Sequence, residues 1–257
     1  MLSASDRVKF ENLLRDAAVL GRDSAGIGTY SEKSLHYILK NFFCQDKDFH
    51  ETSYKGYIAD IMKDGYITEI QSSSLSGMKG KLDAFLEENC VRIVFPIIEK
   101  RNIVWVDPES GDMKRSPRSV SSENIYVLIC QLIYILDYLR DPSLTVTAVT
   151  LCADDYRLLN GRGRDRKIGA EKLDCVPTEL IDISDLVFPD DLALYIPEKL
   201  PEVFTRDEFS KATRLRGRAL WAVLKVMLEM RIIVRVENDG RRYRYTRNVL
   251  INPLKKV

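Results

Sequence analysis

No two of the five cysteines (Cys44, Cys90, Cys130, Cys152, Cys175) stand at a paired spacing. That argues against a zinc knuckle or a disulfide framework and leaves reduced thiols in the core. No apolar run reaches the roughly 20 residues that a bilayer span needs. The longest, around Ile125 to Leu139, is broken by Gln131 and Asp137 and reads as a buried helix. The opening Met-Leu-Ser-Ala-Ser-Asp-Arg-Val-Lys-Phe-Glu is charged and lacks the apolar segment of a secretory leader. The expectation is therefore a cytoplasmic protein with no membrane association. Histidine is scarce, with only His36 and His50; His36 reads as a half-buried helix residue rather than a ligand, and His50 lies in a polar connector. No organic cofactor or structural metal is suggested.

Net charge is also nearly absent, at +1, but it conceals an asymmetry. Residues 203–257 carry +9 and residues 1–202 carry −8. A compact basic module on an acidic body fits a polyanion, most simply nucleic acid, although basic faces also serve solubility.

Chemistry concentrates in Gly56-Tyr-Ile-Ala-Asp60-Ile-Met-Lys-Asp64-Gly65-Tyr-Ile-Thr-Glu69-Ile70-Gln71. Asp64-Gly65 is a hairpin signal, so 56–62 and 66–71 are expected as neighbouring antiparallel strands that bring Asp60 and Glu69 together. Alternation along the strand turns Glu69 and Gln71 one way and Ile70 the other. Two acids and an amide on one sheet face suit a hard cation, Mg²⁺ or Mn²⁺.

Upstream, Thr29 to Glu32 reads as a capping box before an apolar-periodic helix (Leu35, Ile38, Leu39, Phe42, Phe43). Glu32 is thus either a cap or a metal- or water-binding group, and it shares a helix face with His36. Downstream come a Ser-rich turn, a helix from Gly77, strands at 91–97 and 101–107, a buried helix at 123–140 and a strand at 144–151. This order implies a mixed α/β domain, a sheet flanked by helices, over residues 1–170. Residues 171–202 read as a connector. The basic loops Lys114 to Arg118 and Gly161 to Gly169, with Arg162 and Arg164, are candidate phosphate contacts.

In residues 203–257, Thr205 to Glu208 is a capping box that starts one helix. A basic turn with Arg214, Arg216 and Arg218 leads into a second (Leu220, Trp221, Val223, Leu224, Met227, Leu228), and two strands flank Asn238-Asp239-Gly240. This order resembles a winged-helix module, whose second helix would enter a major groove while Arg241, Arg242, Arg244 and Arg247 approach phosphates. Winged helices also act as protein-docking units.

Glu32 on a first helix, Asp60 on one strand and Glu69-x-Gln71 on the next, followed by a helix and a strand, resemble the PD-(D/E)xK nuclease superfamily over residues 28–152. The chain is also similar to a bacterial group of uncharacterised proteins that join such a core to a winged helix, with a Ser116-Pro117-Arg118 triplet after the hairpin. The resemblance implies a restriction-endonuclease-like core in which Asp60, Glu69 and the Ile70 carbonyl bind Mg²⁺ or Mn²⁺ for hydrolysis of DNA. It implies that Gln71 stands where the family has a lysine; an amide can position water but supplies no positive charge. Lys79 and Lys81 on the following helix are the substitutes, with Lys79, nearer the helix start, preferred. Cutting both strands of a duplex would favour a homodimer. The alternative is a nuclease-fold protein that binds or assembles on DNA without catalysis.

Overall fold

The computed structural model describes residues 2–23, 33–117, 123–160, 170–239 and 242–248. Thr29, Glu32, Arg118, Arg241 and the loop with Arg162 and Arg164 lie outside the described residues.

Two antiparallel hairpins open the sheet. Strand β1 (His50–Tyr54) pairs with β2 (Tyr57–Lys63), and β2 pairs with β3 (Tyr66–Ile70). The turn between β2 and β3 has both Asp64 and Gly65 at positive φ (49° and 76°). That is the type I′ geometry matching the right-handed twist of the strands, and it is why Asp-Gly marks the turn so well.

The chain then crosses through helix α3 (Met78–Phe85) to β4 (Cys90–Val106), parallel to β3, and through helix α4 (Tyr126–Gln131) to β6 (Leu144–Leu158), parallel to β4. A short β5 (Met113–Arg115) folds back on β4. The two strands expected at 91–97 and 101–107 are one 17-residue strand, with the pairing irregular between Ile98 and Lys100. The helix expected at 123–140 changes to a 3-10 turn at Leu132–Tyr138, with a kink at Ile135.

The connector expected at 171–202 is corrected. Its first half is β7 (Glu171–Leu186), a 16-residue strand antiparallel to β6, so the sheet runs β1-β2-β3-β4-β6-β7 with β5 beside β4. Its acids had suggested a solvated linker. As the last strand in this order, β7 pairs along one side only, and it carries charged residues, as edge strands commonly do.

Alternation on β4 sorts the core into two layers. Val91, Ile93, Phe95 and Ile97 face α3 and α4, whereas Val94 and Ile98 face helices α1 (Ala4–Asp23) and α2 (Ser34–Phe43) through Phe10, Ile38 and Leu39. Helix α1 had no counterpart in the sequence reading. Helix α2 starts at Ser34, with Lys33 at the N-cap and no side-chain cap of its own, and the expected Thr29–Glu32 box lies outside the described residues. Asp174 of β7 does that work, accepting the Ser34 N–H (3.2 Å) and hydroxyl.

After the short helix α5 (Asp190–Ala193), the basic module is a separate three-stranded sheet, β8 (Val203–Thr205), β10 (Arg242–Arg247) and β9 (Ile233–Asp239), with helices α6 (Arg206–Thr213) and α7 (Gly217–Glu229). The Thr205–Glu208 capping box is formed. Helix α7 packs on α4, and one apolar cluster runs continuously from Ile93 and Phe95 to Phe209, Val223 and Met227. Burial of Leu220, Ala222, Val223, Leu224, Val226 and Met227 leaves α7 one exposed stripe, Arg218, Trp221, Lys225 and Glu229.

Candidate active site

The β2–β3 ladder ends at the pair Ile61 and Thr68, and one residue beyond it Asp60 and Glu69 take over the bonding. The Asp60 N–H donates to Glu69 Oε1 (3.2 Å) and the Ile70 N–H donates to Asp60 Oδ2 (2.7 Å). Each acid is thus pinned to the other's strand. On the far side of β3, the Gln71 N–H donates to the Val94 carbonyl (2.9 Å), extending the parallel pairing with β4.

Two basic residues reach this pair. His36 of α2 places Nε2 3.2 Å from Asp60 Oδ2. Lys81 of α3 donates to Glu69 Oε2 (2.6 Å) and to the Ile58 carbonyl (2.8 Å). Glu69 is fully buried, while Asp60, His36 and Lys81 keep part of their side chains open to water. Burial raises both carboxyls, but at Asp60 the His36 contact, the Ile70 N–H and the Lys81 charge outweigh it and hold the group below the usual range. At Glu69 burial and the neighbouring Asp60 charge prevail over Lys81, and the carboxyl sits above the usual range. The site is an unequal pair of acids, one ionised and one reluctant to be.

Among the described residues no group of three or more His, Cys, Asp or Glu side chains is placed to hold a metal ion. A cation here would rest on Asp60 and Glu69, completed by a main-chain oxygen and water, a ligand set that Mg²⁺ accepts. The donors fit. Part of the Glu69 shift is repulsion from Asp60, which a divalent cation between them would remove.

The sequence-derived roles are redistributed in two places. The lysine at the acids is Lys81, and Lys79 is an exposed residue of α3. Helical spacing alone does not choose between them: the two lysines flank the buried stripe of Met78, Leu82 and Phe85, one on each side, and the packing of α3 on the sheet brings the Lys81 side to the acids. His36, read as an ordinary helix residue, contacts Asp60, a relation that only the packing of α2 against the hairpin creates. His50 bonds the Cys44 carbonyl (2.9 Å) away from the pair.

Among the candidate phosphate contacts, Arg214, Arg216 and Arg218 are exposed around the start of α7, with Arg218 bonded to the Tyr134 hydroxyl (2.9 Å). Arg244 is partly buried, and Arg242 belongs to β10. Arg247 is corrected: its guanidinium donates to the Pro197 (2.8 Å) and Leu200 (3.4 Å) carbonyls, tying β10 to the segment before β8.

A family model described as a domain of unknown function (DUF8091) matches residues 33–186, from the N-cap of α2 to the end of β7. An uncharacterized protein of Treponema pallidum (strain Nichols) is 27% identical over 188 residues, 72% of this chain and 74% of that protein. No solved structure matches the chain.

Proposed function

The chain belongs to the DUF8091 family, and we propose that its sheet domain is a metal-dependent nuclease that hydrolyses phosphodiester bonds in DNA, with the basic module positioning the substrate. The observation that supports this reading is the opposed pair Asp60 and Glu69 at the parting of two strands, with Lys81 bonded to one acid and His36 to the other. All four residues fall within the matched span, and the basic module falls outside it.

In this reading Asp60 and Glu69 hold Mg²⁺ or Mn²⁺, which when bound would polarise the scissile phosphate and ease deprotonation of water. The chain's own groups do the rest. His36 keeps Asp60 ionised and oriented. The Lys81 ammonium supplies the positive charge that Gln71 lacks, next to where charge develops on the phosphoryl oxygens. Gln71 orients the attacking water. Arg214, Arg216, Arg218 and Arg244 contact phosphates without reading sequence. A cytoplasmic setting, suited to five unpaired thiols, and a homodimer for duplex cutting belong to the same proposal.

A second reading, a DNA-binding or assembly protein on a nuclease-type core without catalysis, is favoured by the complete burial of Glu69 and its ion pair with Lys81. The test is cleavage of single-stranded, duplex and branched DNA with Mg²⁺ or Mn²⁺ by wild type, Asp60→Ala and Glu69→Ala. Metal-dependent cutting that both substitutions abolish supports the nuclease. No cutting, with salt-sensitive DNA binding retained in both variants, supports the second reading.

A further inference from the structure

Beside the acid pair lies a cavity of about 330 Å³ that the nuclease reading does not use. His36 belongs to both: its ring lines the cavity while its Nε2 contacts Asp60. Ser72 and Ser73, directly after Gln71, form the other shared edge.

The lining has two chemistries. Leu35, Phe95, Pro96 and Ile98 make an apolar floor. Lys33, Arg101 and Lys172 bring three cations to it, and Glu123 on the lining and the buried Asp155 behind it offset two of them. Arg101 is held rigidly. It donates to both oxygens of Asp155 (3.2 and 3.0 Å) and to Glu123 Oε1 (2.7 Å), and Asp155 is only 1% exposed. Lys172 stands 3.4 Å from the same Asp155 and keeps 43% of its side chain exposed. A fixed guanidinium and a partly exposed ammonium beside an apolar floor, with serines at the edge, form a receptor for one anionic group joined to one flat apolar group.

We infer that this cavity binds the terminal nucleotide of a nucleic-acid strand through a terminal phosphate monoester, so that the adjoining phosphodiester lies over Asp60 and Glu69. The volume admits a nucleotide-sized group and excludes a duplex. A terminal monoester offers the donors Lys33, Arg101 and Lys172 three unesterified oxygens, against the two of an internal phosphodiester. The inference rests on the nuclease reading for its account of the adjoining bond. The cavity itself makes a separate claim about binding.

The test is binding of fluorescent tetrathymidylate carrying a 5′-phosphate, a 3′-phosphate or no terminal phosphate to the full chain in EDTA, where no cutting occurs. Wild type, Lys33→Glu, Lys172→Glu and, as a charge-matched control on an exposed lysine outside the cavity, Lys79→Glu are compared. One phosphorylated probe is expected to bind about tenfold more tightly than the unphosphorylated one, equivalent to about 1.4 kcal/mol. The preference is expected to vanish in Lys33→Glu and Lys172→Glu and to persist in Lys79→Glu. Equal binding of all three probes, or a preference that both lysine variants keep, would overturn the inference. Metal-dependent cleavage is assayed separately: a terminal-phosphate preference without any cleavage leaves the cavity standing and removes the nuclease reading, whereas cleavage without the preference does the reverse.

Discussion

Lys81 Nζ lies 2.6 Å from Glu69 Oε2, so the helix that follows the hairpin returns a positive charge to the acid pair from which the adjacent strand position, Gln71, withholds one. If this amine stabilises charge on the reacting phosphoryl group, Lys81→Ala should lower the metal-dependent cleavage rate by about 10²–10³-fold, the cost of removing one well-placed donor. Lys79→Ala should leave it within about twofold, since surface substitutions away from a site are close to neutral. Single-turnover cleavage by the two variants is the measurement, and equal effects would contradict the assignment.

The two acids should impose opposite pH slopes on stability. Asp60 is held below its ordinary 3.8, so it stabilises the fold above that value, and the benefit is lost as pH falls through the lower folded pKa. Glu69 is raised above its ordinary 4.5, so its favourable contribution is present in acid and is lost as pH rises through the higher folded pKa. Between about pH 3 and pH 7, in EDTA, the melting temperature of Asp60→Asn should fall relative to wild type, whereas that of Glu69→Gln should rise. Parallel slopes would contradict the inequality of the pair.

Asp174 takes the cap of α2 from a strand 140 residues away, and this helix carries His36. Asp174→Ala should cost about 1–2 kcal/mol in denaturant unfolding, the usual cost of losing a cap, and Asp174→Asn less. The same substitution should also loosen His36 from Asp60, seen as a shift of the His36 ring resonances.

The thiols should divide by burial. Burial pushes Cys130 up to about 11 and Cys175 up to about 12, while Cys90 is exposed. At about pH 8 the thiolate fraction of Cys130 is on the order of a thousandth, so an alkylating reagent should label Cys90 in the folded protein and reach Cys130 and Cys175 only after unfolding. Peptide mapping after timed labelling reads the order.

Much of the local plan was legible in the residues. Asp64-Gly65 names its turn because few residues other than glycine or asparagine accept positive φ, and Thr205 to Glu208 names its helix start because the box satisfies its own backbone donors. Alternation on β4 marks its two buried faces, while Val146 and Val149 show the same on β6. Less legible were α1, among whose described side chains Phe10 is the one fully buried anchor, and β7, whose acids mimic a linker.

By itself, then, the sequence determined the hairpin that opposes Asp60 to Glu69, the capped start of α6 and the basic charge of the tail, and the mixed α/β class. These follow from contacts between residues close in the chain or from backbone periodicity. Tertiary structure alone decided that Lys81 rather than Lys79 meets Glu69, that His36 meets Asp60, that Asp174 caps α2, and that Arg101 and Lys172 face one cavity. Each of those pairings depends on where a crossover helix or a distant strand comes to rest, and packing of the two apolar layers fixes that position over many residues at once.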